Sequence, residues 1–533
     1  MTGHPAGTPP RATSLHAARR DTELAELAGG ARPDVLVVGG GVTGTATALD
    51  AAARGLSVAL VEAEDLASRT PRRSDVLPGG LPRDSGPTEL ARAHRDAVEC
   101  ETLSNTTAPH LVRTLPLLLP LDSGVPRGAE LAMRAGLTGE RAVRLAAGTP
   151  TTVLPAPRRI PAAEARALAP GLPVPGPRGG LLSFGTQLLD EARLVVALAR
   201  TAAGFGARVL TRVRARRLHR DGADVVDRLA DTEIRVRARS VINATGLRAA
   251  ELVDGLLLNT LRTPGAVLEA GRLGPNAAGV VAAPHGRAEA TVRCVPQPDG
   301  RSLVTAGEVE LAGTPPETPE SPEASAAEEN DLLEAASRVL GRSARGAHPP
   351  ESHVVSRAVP RRIARRRDGR GARPDHRGRE HHVHTSPAGV ISVVRGGLAP
   401  YRTAAAEAVD AAVRGCGLRA GGSRTATTPL VGAAAREKLA EPGAEQRLIA
   451  RYGTEAGRVS AMTELDPALA EPVAPELPTS VAEVVWAVRH EGAMNAADVL
   501  DRRMPPGLSP EARAAALPRV ADVVTRALRG VYR

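Results

Sequence analysis

Asp34-Val35-Leu36-Val37-Val38-Gly39-Gly40-Gly41-Val42-Thr43-Gly44 opens the stretch that decides the fold, and Val58-Ala59-Leu60-Val61-Glu62 closes it. Val35 to Val38 form an unbroken apolar run, as expected for a parallel strand buried on both faces. Gly39, Gly41 and Gly44 then spell G-x-G-x-x-G. Gly39 permits a tight turn, Gly41 lets backbone approach a pyrophosphate, and Gly44 lets the next helix pack close to the sheet. That helix N-terminus, with Val42 and Thr43 in its first turn, offers N–H groups and a positive dipole end to phosphates. Ala48 and Gly55 fall at helix-packing and helix-exit positions. Glu62, 23 residues after Gly39, is placed to accept hydrogen bonds from ribose hydroxyls. An acid there favours an unphosphorylated ribose, so FAD or NAD rather than NADP.

Working outward, 533 residues suffice for two or three domains with a substantial core. The chain is 42% hydrophobic but only 1% aromatic, so Leu, Val, Ile and Ala must fill that core. So few aromatic platforms argue against nucleic-acid binding by base stacking. Of 69 Lys and Arg residues the single lysine is Lys438, and the net charge of +10 is weak evidence for an anionic partner. Cys100, Cys294 and Cys416 lie far apart, which excludes a disulfide framework and a cysteine metal site and fits a reducing compartment. No metal is expected at His381, His382 and His384, whose spacing reads as a strand. No apolar run reaches membrane-spanning length, and Met1 to Thr13 lack a signal-peptide core, so a cytoplasmic protein is expected.

Two later segments extend the nucleotide-binding unit. Ser240-Val241-Ile242-Asn243-Ala244-Thr245-Gly246 is a strand ending in Ala-Thr-Gly, preceded by a strand expected over Ala207 to Arg214 that includes Val213. Gly389 to Val394 is another apolar strand, running into the glycine pair Gly396-Gly397 and a helix over Thr403 to Val413. A strand ending in Ala-Thr-Gly far downstream recurs in flavoproteins with a split FAD domain, which selects FAD. Val42, Thr43, Val213, Thr245, Gly246 and Gly397 join Gly39, Gly41, Gly44 and Glu62 as cofactor contacts. The expected architecture is α/β: a split Rossmann-like FAD-binding domain, an interleaved α+β substrate domain and a C-terminal all-α domain. Residues 1–30 read as a flexible tail ending in a short helix over Asp21 to Leu27, and 31–415 as the oxidoreductase unit. Its FAD pieces are about 31–110, 179–253 and 385–415, and its substrate region is about 111–178 and 254–384. Gly415 to Thr428 reads as a linker, and 429–533 as the helical domain. Pro315 to Asp331 and the basic Arg361 to Arg379 read as solvated loops.

At this point the chain resembles the FAD-dependent glycerol-3-phosphate dehydrogenases, particularly the actinobacterial type. The resemblance rests on the glycine turn, on Ala108-Pro109-His110-Leu111-Val112-Arg113, and on Gly179-Gly180-Leu181-Leu182. It also rests on Asp190-Glu191-Ala192-Arg193-Leu194 and on Asn243 to Gly246. Near the end, Glu483-Val484-Val485-Trp486-Ala487-Val488-Arg489-His490-Glu491-Gly492-Ala493 and Asp498-Val499-Leu500 look like that family's C-terminal domain. His490 and Glu491 read as helix-packing or domain-contact residues there. The resemblance implies oxidation of sn-glycerol 3-phosphate to dihydroxyacetone phosphate, with hydride to flavin and electrons to a quinone or another acceptor. It places Arg357, in Ser356-Arg357-Ala358-Val359-Pro360, at a substrate-phosphate position and Arg402 at the Tyr-Arg end of the glycine-pair motif. A phosphorylated polyol is the implied substrate; a homodimer and peripheral membrane contact are compatible with it.

Other family positions differ. The loop after Glu62 lacks the family's lysine, histidine and tyrosine, reading Thr70-Pro71-Arg72-Arg73-Ser74-Asp75-Val76-Leu77-Pro78-Gly79-Gly80-Leu81-Pro82, with Arg83 as a shifted stand-in. Pro264-Gly265-Ala266-Val267 replaces Lys-Gly-x-His, and Ala306-Gly307-Glu308-Val309 replaces Gly-Thr-Thr-Asp. The lysine expected after the glycine pair is absent from Leu398-Ala399-Pro400-Tyr401. These departures keep two alternatives open: an impaired FAD-binding homologue with a partner role, or an oxidase of another small alcohol or amine. His285 is read as a loop residue after proline.

Overall fold

The computed structural model describes residues 12–531, apart from 71–74, 78–86, 122–124, 126, 173–177, 270–272, 274–276, 283–290, 312–324, 341–350, 361–380, 395–396, 441–443 and 507. His285, Arg83, the Arg361 to Arg379 stretch, most of Thr70 to Pro82 and the proline-rich part of Pro315 to Asp331 lie outside the described residues.

A six-stranded sheet organises the nucleotide-binding half. Its order is His382–Thr385, Ile391–Val394, Ser240–Asn243, Val35–Val38, Val58–Val61, Arg208–Leu210. All neighbours run parallel except the edge strand His382–Thr385. Val35 to Val38 and Val58 to Val61 are buried throughout, as their unbroken apolar runs require. Helices Val42–Ala53, Glu191–Gly204 and Tyr401–Cys416 pack together beside it, with small residues such as Ala48, Ala199 and Ala408 letting them approach.

A second sheet has nine strands. Val309–Leu311, Leu258–Leu268, Ser302–Thr305, Val292–Pro296, Gly279–Ala282, Val112–Pro120, Gly179–Leu188 and Arg158–Pro161 follow in order, and Glu351–Pro360 pairs with Leu258–Leu268. One face of it, carrying Leu118, Val280, Cys294 and Val304, is buried against helices Ala162–Leu168 and Ala326–Leu340. A small antiparallel sheet is made by Val213–His219, Gly222–Asp227 and Thr232–Arg237. Beyond residue 430 the chain is helical, with Val481–His490 packed on Pro510–Leu528.

Three expectations change. The strand expected over Ala207 to Arg214 is two strands in different sheets, broken where Arg212 takes a left-handed backbone conformation (φ 60°). From residue 12 on, the stretch expected as a flexible tail is packed. Helix Ala17–Ala28 buries Leu24 and Leu27, and Arg20 is ion-paired with the buried Asp227. Gly415 belongs to the helix Tyr401–Cys416, which ends on Gly417 (φ 57°). The segment after it is tied to the Val42–Ala53 helix, since Gly421 N–H donates to Arg54 O (3.2 Å) and Ser423 Oγ to Asp50.

Candidate active site

The glycine turn is built as its sequence demands. Gly39 has φ 113°, and a Cβ there would meet Ala244 O at 2.6 Å. A Cβ on Gly44 would lie 1.8 Å from Gly39 O, so helix and turn touch backbone to backbone. A Cβ on Gly41 would meet nothing within 4 Å. Gly41 is also the helix N-cap and has no side-chain capping bond. The N-terminal end of the Val42–Ala53 helix, with its positive dipole end, therefore opens onto this glycine cradle.

Glu62 closes this cradle. Its carboxylate accepts Gly40 N–H at 2.5 Å and Glu64 N–H at 2.9 Å. Burial raises its pKa, backbone hydrogen bonds oppose that, and the Glu64 charge adds to it. Two oxygens carry about four lone-pair positions, so the pair of backbone bonds leaves room for hydroxyl donors. Val213 N–H donates to Glu62 O (2.8 Å), which fixes Val213 behind the acid. Thr245 donates from both N–H (3.2 Å) and Oγ1 (2.7 Å) to Asn243 Oδ1, holding Ala244 against Gly39. Gly246 turns away with φ 62°, and Gly397 lies between the Ile391–Val394 strand and the Tyr401–Cys416 helix. An open glycine cradle, an uncapped helix end and a poised acid fit an FAD pyrophosphate and ribose.

The two predicted arginines are each paired with a different carboxylate. Arg357 pairs with Glu308 and lies 3.4 Å from Thr263 Oγ1. Arg402 Nε donates to Glu99 Oε2 at 2.9 Å, and Nη2 makes a second contact to the same buried acid. Glu99 is pushed up by burial while Arg402 pulls it back. Lys438 is exposed on the short helix Arg436–Leu439, far in kind from a site lysine. His381 pairs with Glu407 at 2.9 Å.

Sequence reasoning missed the polar face of the second sheet. Asp75 Oδ2 accepts from Thr305 Oγ1 (2.9 Å) and lies 2.7 Å from Arg293 Nη2. Arg113 donates to Gln187 Oε1 and to Pro296 O, both at 2.7 Å. Arg113 stands inside a quoted motif, so a signal existed, but its neighbours come from distant strands. His490 and Glu491 are domain contacts. Ser14 Oγ is 2.7 Å from His490 Nδ1, and Glu491 is chelated by Arg193.

The fold and cradle define the class, a flavin-dependent oxidoreductase. The sequence profile of the family described as FAD dependent oxidoreductase matches residues 34–387, and that of the C-terminal domain of alpha-glycerophosphate oxidase matches 423–529. Glycerol-3-phosphate dehydrogenase 1 of Mycobacterium tuberculosis (strain ATCC 25618 / H37Rv) is 38% identical over 508 residues, covering 95% of this chain and 97% of the relative. The mitochondrial glycerol-3-phosphate dehydrogenase of Bos taurus is 27% identical, over 96% of this chain and 72% of its own. In fold, the chain matches the FAD-complexed glycerol-3-phosphate dehydrogenase of Bacillus halodurans with a TM-score of 0.68, 21% identity and 97% coverage of each chain. Within its class the chain belongs to the FAD-dependent glycerol-3-phosphate dehydrogenase family, and its cofactor is FAD.

Proposed function

We propose that this chain oxidises sn-glycerol 3-phosphate at C2 to dihydroxyacetone phosphate and passes the electrons to a quinone or another acceptor. Bound FAD supplies the hydride acceptor. The chain's residues do the rest: the Gly39–Gly44 turn and helix end hold the pyrophosphate, Glu62 holds ribose hydroxyls, and guanidinium groups hold the substrate phosphate. The observation that carries this reading is the union, in one chain, of the nucleotide fold with the helical C-terminal domain matched over 423–529.

Arg357 and Arg402 enter as the residues that the family resemblance assigns to substrate. Each reaches it by exchanging a carboxylate partner, Glu308 or Glu99, for the ligand. The oxidoreductase unit is taken as residues 31–415, with its nucleotide and substrate parts interleaved, and the helical domain as 429–533. Among the described residues no helix is long and apolar enough to cross a membrane; delivery of electrons to a quinone would use surface contact with a bilayer.

The test is anaerobic mixing of purified, FAD-loaded protein with sn-glycerol 3-phosphate. The flavin absorbance should bleach, and glycerol lacking the phosphate should bleach it far more slowly. An FAD-loaded protein that stays oxidised with this substrate, yet bleaches with an amine or another alcohol, overturns the reading.

A further inference from the structure

Residues 62–70 leave the strand Val58–Val61 and carry the acid assigned to the ribose. Within them Glu64 N–H donates to Glu62 Oε1 (2.9 Å), and Ala67 N–H donates to Gly40 O (3.1 Å), inside the glycine turn. The stretch therefore touches both halves of the cofactor cradle. It has no helix or strand of its own, and Ala67 takes a left-handed backbone conformation (φ 61°). A residue with a Cβ stays in that conformation only where its surroundings hold it there. Arg212 (φ 60°), whose N–H donates to Glu64 O (2.9 Å), is in the same state. Among the described residues, Asp231 is the only other non-glycine with positive φ.

The C-terminal domain supplies the hold. Arg503 Nη1 and Nη2 donate to the two oxygens of Asp65 at 2.8 and 2.9 Å, with side-chain exposures of 1% and 5%. Arg502 donates to Ser68 O and to Thr70 O (3.4 Å). Asp498 pairs with Arg212, which also reaches Glu64 Oε2 at 3.5 Å. Arg502 and Arg503 end the π-helical turn Val499–Arg503, and Asp498 immediately precedes it. Such turns occur mostly at functional sites. Their own domain fixes these side chains: Asp498 accepts Met494 N–H (2.9 Å) and Asn495 N–H (3.3 Å), and Arg503 donates to Glu491 O (3.0 Å). Arg193–Glu491 and Arg200–Glu455 also join the two parts of the chain, but they land on the Glu191–Gly204 helix, away from residues 62–70.

We propose that Asp498, Arg502 and Arg503 are positioning residues for FAD: the C-terminal domain completes the cofactor site by locking residues 62–70 against the glycine turn. The inference rests on the assignment of Glu62 and the glycine turn to FAD. Docking of the C-terminal domain and binding of FAD are then coupled, and the coupling is reciprocal. The π turn slows departure of the cofactor, and the cofactor steadies the π turn.

The test follows release of FAD from the diluted, FAD-loaded full-length protein by the rise in flavin fluorescence. Arg502→Ala and Arg503→Gln should each release FAD about fivefold faster or more, the low end of an ordinary coupling between sites. Arg502→Lys, which keeps the charge, should lose less than Arg502→Ala. Arg200→Gln breaks a docking contact that does not touch residues 62–70, so it should lower the melting temperature yet release FAD at nearly the wild-type rate. In the wild type, removal of FAD should speed hydrogen exchange at residues 498–503. Should Arg503→Gln fail to fold, Arg502→Ala decides, since Arg502 is only partly buried and its partners Ser68 and Thr70 contribute backbone carbonyls. Variants at Arg502 and Arg503 that melt lower but release FAD at the wild-type rate overturn the inference, as does exchange at 498–503 that ignores FAD. Equally fast release from Arg200→Gln overturns it too, because any loosened contact would then suffice. Unchanged release from Gly41→Ala would sink the cradle reading, whereas fast release from Gly41→Ala alone would sink only this inference.

Discussion

Arg193 and Glu491, 298 positions apart, meet through two 2.7 Å contacts from Arg193 Nη1 to both carboxylate oxygens, with side-chain exposures of 5% and 0%. Burial acts to raise the Glu491 pKa, but Arg193, Arg200 and Arg503 outweigh it and hold the acid ionised. Arg193 also donates to Arg451 O and stacks 4.7 Å from the Tyr452 ring centre. This pair fastens the helical C-terminal domain to the Glu191–Gly204 helix of the nucleotide half. Glu491→Gln leaves a buried guanidinium without its charge partner, which should destabilise by about 3–5 kcal/mol. Urea unfolding monitored by circular dichroism measures it. Replacing both residues by apolar ones of similar size should recover much of the loss, because neither charge is then stranded.

The glycine turn separates folding from cofactor binding. Gly41 has φ −80° and open space where a Cβ would go, so Gly41→Ala should leave the melting temperature of the FAD-free protein close to that of the wild type. The added methyl occupies the cradle, and FAD affinity should fall. Gly44→Ala is the opposite case: its Cβ collides with Gly39 O at 1.8 Å, so the FAD-free protein itself should be destabilised. Differential scanning of both variants with and without FAD checks the pattern. Equal destabilisation of both FAD-free variants would remove Gly41 from the cradle role.

How much of this was legible from sequence depends on distance along the chain. Gly39, Gly41, Gly44 and Glu62 act within one strand–helix–strand unit, so local spacing sufficed. The strands Ser240–Asn243 and Ile391–Val394 declared themselves by short apolar pairs, Val241-Ile242 and Val393-Val394, that run into Ala-Thr-Gly and a glycine pair. The pairing of Asp65 with Arg503 did not, because it joins segments that are distant in sequence. With 69 basic residues in the chain, one more arginine carries no signal by itself. The packing of the N-terminal helix was not legible either, because it rests on partners distant in sequence: Arg20 and Glu23 are buried, and Arg20 is matched by Asp227. Arg193 and Glu491 each stood in a recognised motif, yet their pairing is a tertiary fact.

Two histidines make stability depend on pH. Burial, with the Arg193 charge adding to it, pushes His110 down to about 3. Burial, then Arg200 and Arg458, pushes His490 down to about 4. Both are neutral in the folded protein, whereas the unfolded chain takes up their protons below about 6.5. Between pH 6.5 and 4 the unfolded state thus binds more protons, and stability falls as the pH falls. Each histidine contributes at most about 1.4 kcal/mol per pH unit in that window, His490 less because it is more exposed. Thermal melts from pH 7.5 to 4.5 should show a falling midpoint, and His110→Gln should flatten the slope. A slope unchanged by His110→Gln would mean that other groups set it.

Arg402 and Glu99 join the Tyr401–Cys416 helix to the Pro87–Thr102 helix through a two-armed contact, with exposures of 16% and 4%. Removing either member strands the other, so Arg402→Ala and Glu99→Gln should each lower stability. Their effects should overlap rather than add, with a coupling of about 1–3 kcal/mol in a double-mutant cycle. Arg402→Lys keeps the charge but cannot present two arms to one carboxylate, so it should restore only part of the loss. Full rescue by lysine would show that charge alone matters at this position. Additive single effects would show that the pair is not a unit, and would release Arg402 for a role that does not run through Glu99.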